Sequence, residues 1–178
     1  MEKRIICSGF GGQGVLVLGK ILAQAGLMQK KQVSWLPSYG AEMRGGTAHC
    51  MVVISDEGIA SPYVEFSDDA ILMNVPSVNR FIARVKRKGL VVINKGTIGD
   101  LCIRGDLKVI NRDFTKQATE LGNKQVANII ALGVYISNAA FLKSSFFEKA
   151  IEEIFNPKGQ TIVELNKKAF KVGTELNG

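Results

Sequence analysis

Arg4-Ile5-Ile6-Cys7-Ser8-Gly9-Phe10-Gly11-Gly12-Gln13-Gly14-Val15 is the stretch that decides the fold. A short apolar run rich in β-branched residues passes directly into Gly-x-Gly-x-x-Gly. Beyond it Val15, Leu18, Leu22 and Ala25 recur at helical spacing. Strand, glycine turn and helix in that order open an α/β unit. The glycines permit the tight turn and let backbone N–H groups approach an anion at the positive end of the helix. The spacing predicts a strand over residues 4–8 and a helix to about Met28. Gly19 and Gly26 on that helix allow it to lie close to a sheet.

Working outward, short β-branched runs alternate with helical stretches. Strands are expected at 32–36, 47–54, 70–75 and 90–94, with two weaker ones at 101–103 and 108–110 around an Arg104-Gly105-Asp106 turn. A helix opened by Pro76 and Ser77 should run to about Lys88, where Gly89 stops it. The last third is helical. From Val126 to Phe141 the apolar residues surround the helix, so it is buried on several sides, by its own domain or by another subunit. Amphipathic helices follow near 146–155 and 163–172, separated by Asn156-Pro157-Lys158-Gly159. The fold class is therefore α/β. It is a single domain over 1–178 with a mostly parallel open sheet, a Rossmann-like glycine-rich first strand–helix turn and a helical C-terminal third.

Composition supports one globular domain. The chain has 178 residues, 46% hydrophobic and 22% charged, and a chain of this length buries roughly 70% of its unfolded surface without disulfides. The apolar runs fall short of the ~18 residues of a membrane span, and the N-terminus has no signal-peptide pattern. A cytoplasmic protein that neither enters a membrane nor binds nucleic acid is expected. Cys7, Cys50 and Cys102 are odd in number, widely spaced and outside any CxxC pair, and read as buried thiols. Iron–sulfur clusters usually take four cysteines, so this chain alone cannot hold one. His49, the single histidine, reads as a satisfied structural residue within its strand. The net charge is +7, and residues 3–41 carry five basic side chains and no acid. The basic run through Arg80, Arg84, Lys86, Arg87, Lys88 and Lys95 has only Phe81 as an interleaved aromatic, where a nucleic-acid surface calls for several, and reads as a solvated face.

Two loops carry the chemistry. For Gly9, Gly11, Gly12, Gln13 and Gly14 three readings stand: an anion held on the Gly11–Gly14 amides, a turn needed only for packing, or a dinucleotide site. The last calls for an acidic residue ~20 positions later, and none is present. Lys30 and Lys31 leave NADP open. The second loop is Ser38-Tyr39-Gly40-Ala41-Glu42-Met43-Arg44-Gly45-Gly46, expected at the carboxyl edge of the sheet beside the first. Arg44 offers bidentate hydrogen bonds to phosphate or carboxylate, or a salt bridge with Glu42. Tyr39 offers a stacking ring or a hydroxyl donor. Gly45 and Gly46 complete the candidate set.

Taken together, Gly9-Phe10-Gly11-Gly12-Gln13-Gly14-Val15 and Trp35-Leu36-Pro37-Ser38-Tyr39-Gly40-Ala41-Glu42-Met43-Arg44-Gly45-Gly46-Thr47-Ala48 resemble the gamma subunit of 2-oxoacid:ferredoxin oxidoreductases. Val52 to Asp56, Ser61-Pro62, Gly122-Asn123, Val126-Ala127-Asn128 and Glu164 to Phe170 extend the resemblance over nearly the whole chain. The family often has proline where this chain has Ala41. The resemblance implies a complex that decarboxylates a 2-oxoacid oxidatively in anaerobic metabolism, forms an acyl-CoA and passes electrons to ferredoxin. Thiamine diphosphate, magnesium and iron–sulfur clusters would lie on alpha, beta and ferredoxin-like delta subunits, with no cofactor bound by this chain alone. The second loop is closer to the 2-oxoglutarate and branched-chain versions than to the pyruvate version. The glycine loop, Tyr39, Glu42, Arg44, Gly45 and Gly46 carry over as CoA-ligand or interface positions, and no residue as a proton-transfer catalyst. A stand-alone NADP- or flavin-binding reductase is the competing reading.

Overall fold

The computed structural model describes residues 1–39, 46–95, 103–139 and 141–176. Six strands form one mixed sheet: β1 (Glu2–Phe10), β2 (Gln32–Tyr39), β3 (Thr47–Ser55), β4 (Asp69–Leu72), β5 (Leu90–Asn94) and β6 (Lys108–Arg112), in the order β2-β3-β1-β4-β5-β6. The β1–β4, β4–β5 and β5–β6 pairings are parallel. β3 runs antiparallel to both its neighbours, from Glu2 opposite Ser55 to Phe10 opposite Thr47 on one side. The expected mostly parallel sheet is present, with β3 as its one reversed strand.

Alternation along the strands divides the core in two. Ile5, Cys7, Cys50, Val52 and Ile54 face the layer that holds α1 (Val15–Met28), α3 (Phe114–Glu120), α4 (Ala127–Ala139), α5 (Ser145–Phe155) and α6 (Gln160–Glu175). Ile6, Met51 and Val53 face the other side, where α2 (Val75–Phe81) contributes Val78 and Phe81. β4 and β5 are buried along their whole length, as parallel strands covered on both faces must be. α1 lies close to β3 and β2 because Gly19 has no side chain: a Cβ there would collide with the Cys50 sulfur and crowd the Trp35 ring. In α4 every residue from Ala127 to Ile136 is buried. This chain's own sheet and helices do the covering, and no second subunit is needed for it.

Several boundaries differ from the sequence reading, each for a tertiary reason. β2 does not stop at Leu36 but continues through Pro37 to Tyr39. It is an edge strand, where proline's missing donor can be tolerated. β4 ends at Leu72, and Val75 already belongs to α2. α2 ends at Phe81, followed by a single 3-10 turn over Ile82–Arg84, because Val85 leaves to bridge Ser67 beside the sheet. The Lys86 N–H donates to the Ser67 carbonyl at 2.9 Å, and Lys88 turns left-handed with φ 63. Of the strand expected at 101–103, Leu101 and Cys102 lie outside the described residues and Ile103 is not in a strand. α3 was not separately legible; Asp113 caps it by accepting from Lys116 N.

One buried carboxylate ties the layers together. Asp69 in β4 accepts from the Tyr135 hydroxyl of α4 at 2.8 Å and from the Leu90 N–H at 2.9 Å, and pairs with the Lys3 ammonium at 2.7 Å. Burial first, then the Asp69 charge, pushes the Tyr135 phenol well above its ordinary range.

Candidate functional site: the glycine loop at the carboxyl edge of the sheet

β1 connects through α1 to β2 on one side, whereas β4 connects through α2 to β5 on the other. The crevice outside the carboxyl ends of β1 and β4 is thus a topological switch point, where open α/β sheets bind ligands. Gly9 to Gly14 occupies that place. Gly12 (φ 97) and Gly14 (φ 69) are left-handed, which an L side chain rarely adopts. Gly9 is buried, and a Cβ there would meet Gln13 Oε1 and Val15 Cγ1, each at 2.8 Å.

Side-chain amides hold the loop in shape. Gln13 Oε1 accepts from Phe10 N at 2.7 Å and from Asn74 Nδ2 at 3.0 Å, while Gln13 Nε2 donates to the Met73 carbonyl at 3.2 Å. Asn128 Nδ2, from the first turn of α4, donates to the Gly14 carbonyl at 2.9 Å. Beneath them Ser8 Oγ donates to Ala48 O and is hydrogen-bonded to the Ser77 hydroxyl, and Ser77 N donates to Asn74 Oδ1. Gln13 therefore turns inward, both ends of its amide engaged within the chain. Asn74, Ser77 and Asn128 were not singled out as site residues from the sequence. The signal available for Asn74 was its place one residue before Val-Pro-Ser at a helix start, an N-cap pattern.

The two predicted loops come together where they are described. Gly11 N donates to the Gly46 carbonyl at 2.9 Å, and Phe10 is opposite Thr47 in the sheet register. Phe10, Gly11, Tyr39, Gly46, Thr47 and Ala48 line a cavity of about 330 Å³ at the start of α1, walled mainly by carbon. Tyr39 is 66% exposed at its mouth. Among the described residues no side chain caps the α1 N-terminus, and its first turn holds no acid, so its N–H groups and positive dipole end suit an anion. Glu42, Arg44 and Gly45 lie outside the described residues.

His49, on the α2 face of β3, is buried and packs its ring 5.0 Å from that of Phe81. Its Nδ1 has no hydrogen-bond partner among the described residues, so it is a structural histidine but not a satisfied one. Burial, then Arg80 and Arg84, lowers its pKa and holds it neutral. Cys7 and Cys50 are buried opposite each other in β1 and β3; Cys50 Sγ donates to the Val15 carbonyl at 3.4 Å, and burial pushes the Cys7 thiol up.

A glycine-loop α/β domain with a preorganised turn at the switch point is the class this geometry defines. Residues 4–176 match the pyruvate ferredoxin/flavodoxin oxidoreductase family, and the chain belongs to it. It is 37% identical over 98% of its length to the ketoisovalerate oxidoreductase subunit VorA of Methanothermobacter marburgensis, of which it covers 36%. It is 34% identical over 99% of its length to the 2-oxoglutarate synthase subunit KorC of Methanocaldococcus jannaschii, of which it covers 94%. The chain thus spans about a third of VorA and nearly all of KorC. Among solved structures, the gamma subunit of a keto/oxoacid ferredoxin oxidoreductase from Geobacter sulfurreducens superimposes with a TM-score of 0.82 at 28% identity, covering 97% of this chain and 96% of that one. The 2-oxoglutarate:ferredoxin oxidoreductase of Magnetococcus marinus, solved with 2-oxoglutarate, coenzyme A and succinyl-CoA bound, shares the fold with a TM-score of 0.88 at 21% identity. It matches 98% of this chain, which covers 31% of that one. Among the described residues no helix is long and apolar enough to cross a membrane.

Proposed function

We propose that the chain works as the gamma component of a 2-oxoacid:ferredoxin oxidoreductase that forms an acyl-CoA from a 2-oxoacid and CoA. Its substrate is 2-oxoglutarate or a branched-chain 2-oxoacid, a choice supported by the KorC and VorA relatives. The observation that carries the reading is the Gly11–Gly46 hydrogen bond. It brings both family loops to one uncapped helix start beside a carbon-walled cavity. That pairing suits a ligand with a phosphate at one end and an uncharged body at the other, as CoA has. Gly12 and Gly14 would offer N–H groups to the anion and Tyr39 its ring, while Gly11, its N–H held by the Gly46 carbonyl, joins the two loops. Gly45, Gly46, Glu42 and Arg44 belong to the facing loop, with Arg44 as the charged partner. Gly9 and Gln13 hold the turn in place.

The donor set does not fit an iron–sulfur cluster: Cys7 and Cys50 are buried within the core and raised in pKa or committed to a backbone carbonyl. Clusters, thiamine diphosphate and magnesium are therefore assigned to the alpha, beta and delta partners, with ferredoxin as acceptor in the cytoplasm. Family membership leaves the stand-alone NADP- or flavin-binding reductase without support. Co-expression with the neighbouring reading frames, followed by affinity purification and an acyl-CoA assay, tests the proposal. A thiamine- and cluster-containing complex with CoA-dependent ferredoxin reduction is expected. Recovery of this chain alone, or unchanged CoA affinity of the complex on replacing Arg44 by Ala, would overturn it.

A further inference from the structure

The sheet register fixes which way each peptide of the edge strand β2 points. Gly11 N donates to the Gly46 carbonyl and Asp56 N to the Met1 carbonyl, so the odd-numbered residues of β1 exchange hydrogen bonds with the even-numbered residues of β3. In an antiparallel ladder bonded and non-bonded pairs alternate. β3 therefore turns the N–H and C=O groups of Ser55, Val53, Met51 and His49 toward β2, where their partners are Gln32, Ser34, Leu36 and Ser38. The peptides of Val33, Trp35, Pro37 and Tyr39 point away from the sheet. Among the described residues no hydrogen bond reaches the outward N–H and C=O groups of Val33 and Trp35.

An open strand edge is a template for a further strand, and folded proteins ordinarily guard it with charge. β6, at the other edge of the sheet, has Lys108 and Arg112 at its ends, whereas β2 has no charged residue. Trp35 on the α1 face and Leu36 on the α2 face are 36% and 38% exposed, and Leu27, next to the Gly26 that packs on Val33, is 54% exposed. The edge is also complementary to itself. With two copies antiparallel about a two-fold axis at Ser34, the Val33 N–H of each donates to the Trp35 carbonyl of the other, and each Trp35 N–H to the other Val33 carbonyl. Moving the axis toward Tyr39 sets the Pro37 ring, which has no N–H, against a carbonyl. Moving it the other way calls on Lys31 N, already committed to the Gly26 carbonyl at 3.1 Å. In the register at Ser34 the Trp35 ring lies beside Val33 of the second copy, and no like charges face each other across the axis.

We propose that two copies of this chain associate through β2, antiparallel about a two-fold axis at Ser34, so that one continuous sheet runs through both. The same groups serve as both halves of the interface, as a closed two-fold contact requires. Tyr39 of each copy lies beyond the paired segment, clear of the axis. The inference goes beyond the functional reading and does not depend on it.

The test begins with the full chain, whose sedimentation equilibrium should give twice the monomer mass. In a Cys102→Ser background, Ser34→Cys should form a disulfide-linked dimer under mild oxidation by glutathione disulfide. Gln32→Cys should not, since its two thiols would lie roughly 13 Å apart along the strands. Ser34→Lys sets two ammonium groups on the axis and should weaken association by about tenfold with an unchanged circular dichroism spectrum. A monomeric wild-type chain, a dimer that Ser34→Lys leaves intact, or a disulfide from Gln32→Cys in place of Ser34→Cys would each overturn the inference. In the complex assembled from co-expressed subunits, a benzophenone maleimide on the Ser34→Cys variant should join two copies of this chain. Attachment to a different subunit would assign the edge to that subunit and overturn the inference, while the acyl-CoA assay tests the functional reading separately.

Discussion

Gln13 shows how a residue chosen for a ligand motif can serve the motif from inside. Its amide carries three hydrogen bonds, to Phe10 N, Asn74 Nδ2 and the Met73 carbonyl, and Gln13→Leu keeps the volume while removing all three. The expected cost is about 1–3 kcal/mol in urea denaturation, together with weaker CoA binding by the complex; an unchanged midpoint would show that the loop holds its shape without the amide. His49 gives the second prediction at this scale. Its folded-state pKa lies below the ordinary value near 6.5 because burial and the Arg80 and Arg84 charges disfavour the imidazolium. The unfolded chain therefore binds the proton more readily, and the contribution of neutral His49 is complete above about pH 6.5 and declines as the pH falls through that value towards the folded-state pKa. Denaturation midpoints compared between pH 8 and pH 5 should drop more in the wild type than in His49→Leu; equal drops would mean that His49 is already solvated in the fold.

Among the elements, the crossing of α4 and α6 makes the firmest stability prediction. Gly133 and Gly173 face each other, and a Cβ on Gly173 would collide with the Ile130 carbonyl and stand 2.9 Å from Gly133 Cα. Backbone, unlike a side-chain tip, cannot turn aside, so Gly173→Ala should cost roughly 1–3 kcal/mol by overpacking, read as a lowered thermal midpoint, although alanine is the better helix former. The existence of α1, α4, β3 and β5 was legible because each rests on local information: periodicity in α1, an all-apolar surface in α4, β-branched runs in the strands. The α2 boundary was not, because its end is fixed by Ser67, a residue distant in sequence that claims Val85 for a bridge. Pro37 hid the last third of β2, since whether proline can be accommodated depends on the strand being at an edge, which only the assembled sheet decides. The meeting of the glycine loop with Gly46 was legible because both follow strands that end at one edge. Asn128 was not, since an isolated asparagine carries no sign of the carbonyl it will reach; Asn74 signalled its helix cap but not the Gln13 amide it also holds.

For the whole molecule, the decisive feature is that both cores share one sheet. β1 gives Ile5 and Cys7 to the core under α1 and α4, and Ile6 to the core under α2, so neither can be lost without exposing the other. Trp35, the single tryptophan, sits on edge strand β2 opposite Val52, far along the sheet from β6, and packs against the first half of α1 through the gap at Gly19. It therefore reports on the end of the sheet most able to fray, while far-UV circular dichroism is weighted to the helices of the C-terminal third. β2 is paired with β3 along its entire length and clasped by α1, which also lies on β1. Detaching it would uncover the Cys50–Val52–Ile54 face. The expected outcome is a single cooperative unfolding in which the Trp35 fluorescence and circular dichroism curves coincide across denaturant. A fluorescence transition at distinctly lower denaturant would show instead that β2 and α1 open as a separate unit, and that the paired loops which build the glycine-loop cavity are held less firmly than the rest of the domain.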